Sequence, residues 1–322
     1  MSKARATATA PPEPVPAGTI PAFVNPRGGS ADAARAAIHA DARFALREVD
    51  PDALGAAMGA AAAAGHRRVL VSGGDGTVAA AAAVAATSGQ ELAVLPGGTL
   101  NHFAVDLGLP AGDAGACLTA AVEGEARPAD LAYVNDHAIL NTSAVGAYVT
   151  FVRTRERFER WSGYRLASML AAGRTWAGLH GFSVTVREGG RDGDPMREYA
   201  ESPLVFLGVG ERDFTAAAHG ARVPNGVRAL HVVVVRAATR ARVLALAARA
   251  AVEGLESVAA QSDAVDVALV DACEIRLRRP RGRVAIDGEL VPMTAPLRYR
   301  IARHAFLAVG PLAASGGAGA RG

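Results

Sequence analysis

The sequence predicts a Rossmann-like α/β domain followed by a β-rich antiparallel sandwich, and three observations predict it. Short apolar runs alternate with helical stretches four times before Leu109, a pattern that requires parallel strands joined by crossover helices. Two glycine turns, Gly73-Gly74-Asp75-Gly76-Thr77 and Pro96-Gly97-Gly98-Thr99-Leu100-Asn101, follow two of those runs. From residue 131 onward the chain becomes strand-rich, with Gly, Asp, Asn and Pro separating the runs, as in an antiparallel sheet or sandwich.

Residues 1–18 are rich in Pro and small residues with no apolar signal core, which reads as a disordered lead-in. The first strand is 20–24, followed by Asn25-Pro26-Arg27-Gly28-Gly29-Ser30 and a helix over 31–42 with Ser30 at its N-cap. Residues 44–49 form a second strand. Asp50 then caps a helix with Pro51 at its first position and Gly65 at its end. The strand at 69–71 enters the first glycine turn, with a helix opening after Thr77, and the strand at 92–95 enters the second. A helix over 114–122 follows, and Arg127 to Asp130 begins the change of domain. The α/β domain is thus placed at 19–130 and the β-rich domain at 131–298. Strands of the latter are expected at 131–134, 137–140, 181–187, 204–208, 229–236, 274–278 and 283–286, with helix at 240–258; residues 314–322 read as a disordered tail.

Glycine turns at the carboxyl ends of parallel strands bind anions. Without a Cβ the backbone can approach a phosphate, and the helix that follows aims unpaired N–H groups and its positive dipole end at the same point. Asn25, Asp75 and Thr99 share that edge, where ligands of open α/β sheets sit. A carboxylate inside a phosphate-binding turn would repel its ligand unless a cation stood between them, so Asp75 implies Mg²⁺. An isolated Gly-Gly-Asp-Gly is also ordinary turn chemistry; the second glycine turn so soon after it favours the phosphate reading.

Composition narrows the classes. The chain has 322 residues, 50% apolar and 20% charged, as in a globular protein large enough for two domains. No apolar run approaches the roughly 18 residues of a membrane span, so a cytoplasmic protein is expected. Cys117 and Cys273 are too few and too distant for a disulfide framework or a metal site. Lys3 is the only lysine among 34 Lys and Arg residues, so a P-loop mechanism, with its lysine on the phosphates, is excluded from the folded region. A net charge of +3 without a dense basic tract argues against a nucleic-acid partner and allows a weak attraction to an anionic membrane. Between 150 and 176, arginines interleave with Phe151, Phe158, Trp161, Tyr164 and Trp176. That stretch suits either a membrane interface or an amphipathic helix packed on the sheet.

The pair of turns, with His102-Phe103-Ala104 completing the second, resembles the signature of the diacylglycerol kinase catalytic-domain family. That family comprises soluble lipid kinases, including bacterial diacylglycerol kinase-like enzymes and the sphingosine and ceramide kinases. NAD kinases and phosphofructokinases share the first turn but lack the second. The resemblance covers roughly residues 19–311 and implies ATP and Mg²⁺ as cofactors, with Asp75 on the catalytic metal. It implies a nucleotide site built from Asn25, Asp50, Gly73, Gly74, Asp75, Gly76, Thr77, Gly97, Gly98, Thr99 and Asn101; for Asp50 helix capping is an equally good explanation. It also implies that residues 299–311 return to the first domain, and it allows peripheral contact with the inner face of the membrane, where the lipid substrate lies, and a homodimer.

A second chemical site is expected at Asp287-Gly288-Glu289, after an apolar strand. Phosphoryl transfer to an alcohol needs a group to orient the hydroxyl and accept its proton. The resemblance assigns that role to Glu289, poised by burial beside phosphate and metal, with Asp287 in support; alone, such a tripeptide is most often a hairpin turn. Three departures stand out. His102 occupies a position commonly Asp. Asn225 and Arg228 stand where many bacterial relatives hold a structural Mg²⁺ with acidic residues, so that metal site is expected to be absent. Val209 replaces a usual asparagine. The leading reading is an ATP-dependent lipid kinase acting on a lipid such as diacylglycerol. The alternatives are a kinase of a soluble substrate such as NAD and a non-catalytic nucleotide- or lipid-binding protein of the same fold.

Overall fold

The computed structural model describes residues 16, 18–98, 101–146, 149, 182–187, 196–213, 220–236, 245, 249, 257–258, 261–277 and 279–312; at 182–187 and 196–201 only the backbone is described. The arginine–aromatic stretch at 150–176 and most of the helix expected at 240–258 lie outside the described residues.

The first half alternates strand and helix as its apolar spacing dictates: β1 (Ile20–Val24), α1 (Ala31–His39), β2 (Phe44–Glu48), α2 (Pro51–Ala63), β3 (Arg68–Gly73), α3 (Asp75–Ser88) and β4 (Glu91–Pro96). β2, β1, β3 and β4 lie side by side and parallel. The side chains of β1, β3 and β4 are nearly all buried, Val69, Leu70 and Val71 fully so, as strands covered on both faces must be; in the edge strand β2 only Phe44 is. Helix α1 stops at His39, short of the expected residue 42. Helix α3 opens at Asp75, three residues earlier than expected. Gly74, in extended conformation at the N-cap, lets the turn close at once, and an aspartate in the first turn suits the helix dipole.

After α4 (His102–Asp106) and α5 (Ala114–Glu123), β5 (Glu125–Val134) pairs antiparallel with the last strand, β18 (Leu297–Gly310). A register shift between Ala302 and Phe306 divides this ribbon. Beyond it Leu307 and Ala308 pair in parallel with Glu91 and Leu92 of β4, while Leu297 to Arg300 pair with β15 (Ala272–Ile275). The ribbon therefore belongs to both halves. Residues 127–130, read from sequence as a change of domain, are inside β5, where Pro128 is opposite Leu307 of β18.

The second half is a sandwich. Its outer part of the first sheet adds β15, β8 (Phe182–Arg187) and β9 (Met196–Ser202); the other sheet has the order β14-β13-β10-β7-β16-β17. These six are Val265–Val270, Leu230–Val235, Leu204–Val209, Thr142–Gly146, Arg281–Ile286 and Glu289–Thr294. Val134, Ile275, Leu297 and Tyr299 of one sheet pack with Val145, Leu207, Val232 and Val284 of the other. Strand β15 sits two to three residues earlier than the expected 274–278. Strands β7, β9, β14 and β17 had no sequence expectation, being short or interrupted by polar residues.

Candidate active site

The two glycine turns pack directly on each other. Gly97 N–H donates to Gly73 O at 2.9 Å, and a Cβ on Gly98 would lie 2.7 Å from the Gly74 Cα. No side chain fits there, which is the physical reason for glycine in both turns. Ser30, at the N-cap position of α1, makes no side-chain cap; instead its Oγ donates to Gly97 O at 2.8 Å. Asn25 donates from Nδ2 to Thr77 Oγ1 at 3.1 Å and accepts at Oδ1 from Arg27 N–H. Asn101, with φ 51°, closes the second turn by exchanging two hydrogen bonds with Gly98, at 2.7 and 2.8 Å. Asp50 is an N-cap in backbone conformation only, and its carboxylate pairs with Arg27 at 3.2 Å on the surface. Thr99 lies outside the described residues. The N–H groups of Asp75, Gly76 and Thr77 precede the first intrahelical hydrogen bond, from Val78 N–H to Gly74 O, and so face the cleft edge as helix N-terminal donors.

The second sheet meets this edge through the turn joining β16 to β17. Asp287 (φ 46°) and Gly288 (φ 89°) both take left-handed conformations, as a type I′ hairpin turn requires. The Asp287 carboxylate accepts N–H groups from Leu140 at 2.8 Å, Asn141 at 2.7 Å and Thr142 at 2.9 Å. Burial pushes its carboxyl up to about 6 against the pull of those three donors, and the neighbouring Asp75 adds to the rise. Glu289 reaches the first turn of α3: a Cβ on Gly76 would lie 2.6 Å from Glu289 Oε1. Glu289 therefore stands at the first turn of α3, the turn that Asp75 opens, although 214 positions separate the two in sequence. Glu289 differs from expectation in one respect, since it is exposed rather than buried. It begins a strand at the edge of its sheet, where the protein alone supplies no cover.

Several residues of this neighbourhood carried no sequence expectation. Asn141, 1% exposed, donates from Nδ2 to Asp75 Oδ1 at 3.5 Å. Arg212, equally buried, donates to the carbonyls of Val209, Gly220 and Asn141 and pairs with Asp106 at 3.4 Å. Burial pushes its guanidinium down to about 10, and the nearby Arg222 acts in the same direction. The polar pair Asn141-Thr142 between two apolar runs was the one available signal, since a polar residue there must find a buried partner. For Arg212 the sequence holds no signal.

The departures are placed as well. His102 is exposed at the start of α4. Val209 is buried in β10 and its N–H donates to Asn141 O at 2.9 Å. Arg228 pairs with the buried Asp130 at 2.8 Å. A cleft of about 170 Å³ lined by Asp106, Asp130, Arg222, Asn225 and Arg228 lies beside these residues. None of the residues expected from sequence to bind nucleotide or act in catalysis lines it, so the glycine-turn edge, and not this cleft, is the candidate site.

Among the described residues no three Asp, Glu, His or Cys side chains converge on a metal-sized gap. A Mg²⁺ that travels with a nucleotide needs only one or two carboxylates, with phosphate and water oxygens completing its shell. Asp75, half-buried beside the helix N-terminal donors, and the buried, unpartnered Oδ1 of Asn141 offer hard oxygen donors of that kind, and so fit.

Comparisons with known proteins bear on the fold that carries this site. The diacylglycerol kinase catalytic domain matches residues 19–134. A diacylglycerol kinase structure from Bacillus anthracis str. Sterne is 22% identical, with a TM-score of 0.65 over 91% of this chain and 97% of that one. Another structure from that organism, of a candidate diacylglycerol kinase, is 20% identical with a TM-score of 0.66 over the same shares. At such identities the likeness shows the fold: an α/β half with a parallel sheet and an antiparallel β-rich half, as found here. No helix among the described residues is long and apolar enough to cross a membrane. Residues 19–134, with both glycine turns and the parallel sheet that presents them, are the part of the chain that matches the diacylglycerol kinase catalytic domain.

Proposed function

We propose that this protein is an ATP-dependent lipid kinase that transfers the γ-phosphate of ATP to a hydroxyl of a lipid such as diacylglycerol. One observation carries the reading: the Glu289 carboxylate, from the antiparallel half, lies against Gly76, the residue after Asp75 in the first turn of α3. A proton acceptor and a metal-binding carboxylate on opposite walls of one cleft are what in-line transfer to an alcohol requires.

The roles follow from position. The two glycine turns and the α3 N–H groups bind the phosphates through main-chain donors; with Lys3 as the only lysine, the remaining phosphate charge is left to metal and arginine. Asn25 holds Thr77, and Ser30 holds Gly97, so that both turns keep their spacing. Asp75 would hold Mg²⁺, which when bound would neutralise charge on the phosphate oxygens. Glu289 orients the lipid hydroxyl and accepts its proton; the loose transition state makes little demand on its basicity, so its exposure before substrate arrives is no obstacle. Asp287, held by three N–H donors, fixes the turn that carries Glu289. The lipid's chain-bearing end approaches from the antiparallel half, at the surface of the membrane.

The test is incubation with labelled ATP, Mg²⁺ and a whole lipid extract, with NAD as the soluble control, followed by mass spectrometry of the phosphorylated species. Phosphorylated lipid in the wild type is expected, with a loss of about 10²- to 10⁴-fold in Glu289→Gln and retained nucleotide binding. Phosphorylated NAD would establish the soluble-substrate alternative. ATP left intact in every arm would reject a kinase.

A further inference from the structure

Asp75 and the Asp287 turn belong to different sheets, and Asn141 is the residue between them. Its polar groups point three ways. The Nδ2 donates to Asp75 Oδ1 at 3.5 Å, the outer limit of a hydrogen bond. Its N–H donates to Asp287 Oδ1 at 2.7 Å. Its carbonyl accepts from Arg212 Nη2 at 3.2 Å and Val209 N–H at 2.9 Å. The remaining Oδ1 is buried with no hydrogen-bond partner among the described residues. Such an orphan destabilises a fold and is retained where the site has a use for it.

Arg212 explains why Asn141 stays in place. A buried guanidinium is costly unless its donors are met, and here they meet Val209 O, Gly220 O and Asn141 O at 3.2–3.3 Å, with the Asp106 carboxylate paired by charge at 3.4 Å. Gly208 leaves the room, since a Cβ there would lie 2.6 Å from Arg212 Cγ. Asp106 ends α4, the helix that follows the second glycine turn. A continuous path thus runs from the second glycine turn through Asp106, Arg212 and Asn141 to Asp75 in the first.

We propose that Asn141 is a positioning residue that holds the Asp75 carboxylate beside the Asp287 and Glu289 turn, and that Arg212 fixes Asn141 by tying its carbonyl to Asp106. The kinetic consequence rests on the kinase reading given above, whereas the physical link does not. A fixed carboxamide beside Asp75 gives that carboxylate one orientation toward a bound nucleotide, and the 3.5 Å contact tightens when ligand arrives, as apo-state contacts at active sites do.

Two measurements test it. In urea unfolding of the ligand-free protein, Asn141→Ala and Asp75→Ala are combined in a double-mutant cycle, with Asn141→Ser replacing the alanine variant if that fails to fold. The double variant is expected to depart from the product of the single effects by about threefold or more in the folding equilibrium constant; strictly multiplicative effects would overturn the link. In lipid phosphorylation, Asn141→Ala is expected to lower kcat about 100-fold with KM for ATP within about threefold. Asn141→Asp should not restore it, because it sets a second carboxylate against Asp75. Arg212→Lys keeps a cation but not the planar fan of donors, and should lower kcat about tenfold. Full kcat per folded molecule in Asn141→Ala would overturn the positioning role. Coupling in the cycle with an inactive wild type would support the link and reject the kinase reading instead.

Discussion

The two walls of the proposed site are made of different material. The wall from the α/β half is main chain: Gly73, Gly74, Gly97 and Gly98 pack backbone against backbone, and the N–H groups of Asp75, Gly76 and Thr77 precede the first intrahelical hydrogen bond of α3. The wall from the antiparallel half is side chain: Asp287, Asn141, Arg212 and Glu289, brought together from four separate strand ends. A backbone wall is rigid and intolerant of any added atom. A side-chain wall depends on burial, charge and pH. Each can be broken in its own way.

The largest effect is expected from the charge buried in the side-chain wall. The Asp287 carboxyl is pushed up to about 6 from its ordinary 3.8. A carboxyl whose folded value is raised gives the folded state a stabilisation that is complete below pH about 4 and is lost as pH climbs through about 6. At about 1.4 kcal/mol per unit, the span amounts to at most about 3 kcal/mol. Urea unfolding from pH 4 to 7 should show this decline in the wild type, superposed on other groups, and its disappearance from Asp287→Asn. Identical pH profiles for the two would mean that the three N–H donors outweigh burial.

The backbone wall should break at Gly98. Its added Cβ meets the Gly74 Cα at 2.7 Å, and neither strand end can retreat, since Gly97 N–H is bonded to Gly73 O. Strain of about 2–3 kcal/mol at such a contact corresponds to a loss of about 100-fold in nucleotide affinity for Gly98→Ala, readable by calorimetry. Unchanged affinity would show that the turns part freely and that their contact is not what binds phosphate.

Gly76 is where the walls touch, and the same substitution has a different outcome there. The obstacle to a Cβ at 2.6 Å is Glu289 Oε1, the free end of an exposed side chain that can swing away. Alanine also favours the helix by up to about 1 kcal/mol. Gly76→Ala should therefore fold as well as the wild type or better, bind nucleotide within about twofold, and lose about tenfold in kcat through displacement of Glu289. In a Glu289→Ala background it should cost nothing further.

This contrast also explains what was legible in the sequence. The backbone wall was readable because each of its parts is local: strand, glycine turn and helix start follow one another within about six residues, and glycine announces close approach by its identity. The fold class followed from the same alternation. The side-chain wall was half legible. Asp287 and Glu289 stand together in a hairpin turn with its own chemistry, but Asn141 and Arg212 act through distant partners that no spacing reveals. The exposure of Glu289 was missed for the same reason, since burial of an edge-strand residue depends on what lies across the cleft. Helix α3 starts earlier than expected because Gly74 can cap from an extended conformation, which leaves Asp75 inside the helix rather than ahead of it.

The smallest effect is expected at Asp50, where the backbone wall reaches solvent. Three readings met there: helix cap, nucleotide contact and surface charge. The side chain makes no cap bond to α2, so Asp50→Ala removes no N-cap hydrogen bond. Its pair with Arg27 is about half exposed on both sides, and such pairs contribute about 0–1 kcal/mol. Stability should fall by less than about 1 kcal/mol, and less still in high salt. If Asp50 also touches the nucleotide, KM for ATP should rise in Asp50→Ala while Arg27→Ala leaves it unchanged; equal effects from both would mean that Asp50 serves only to hold the arginine.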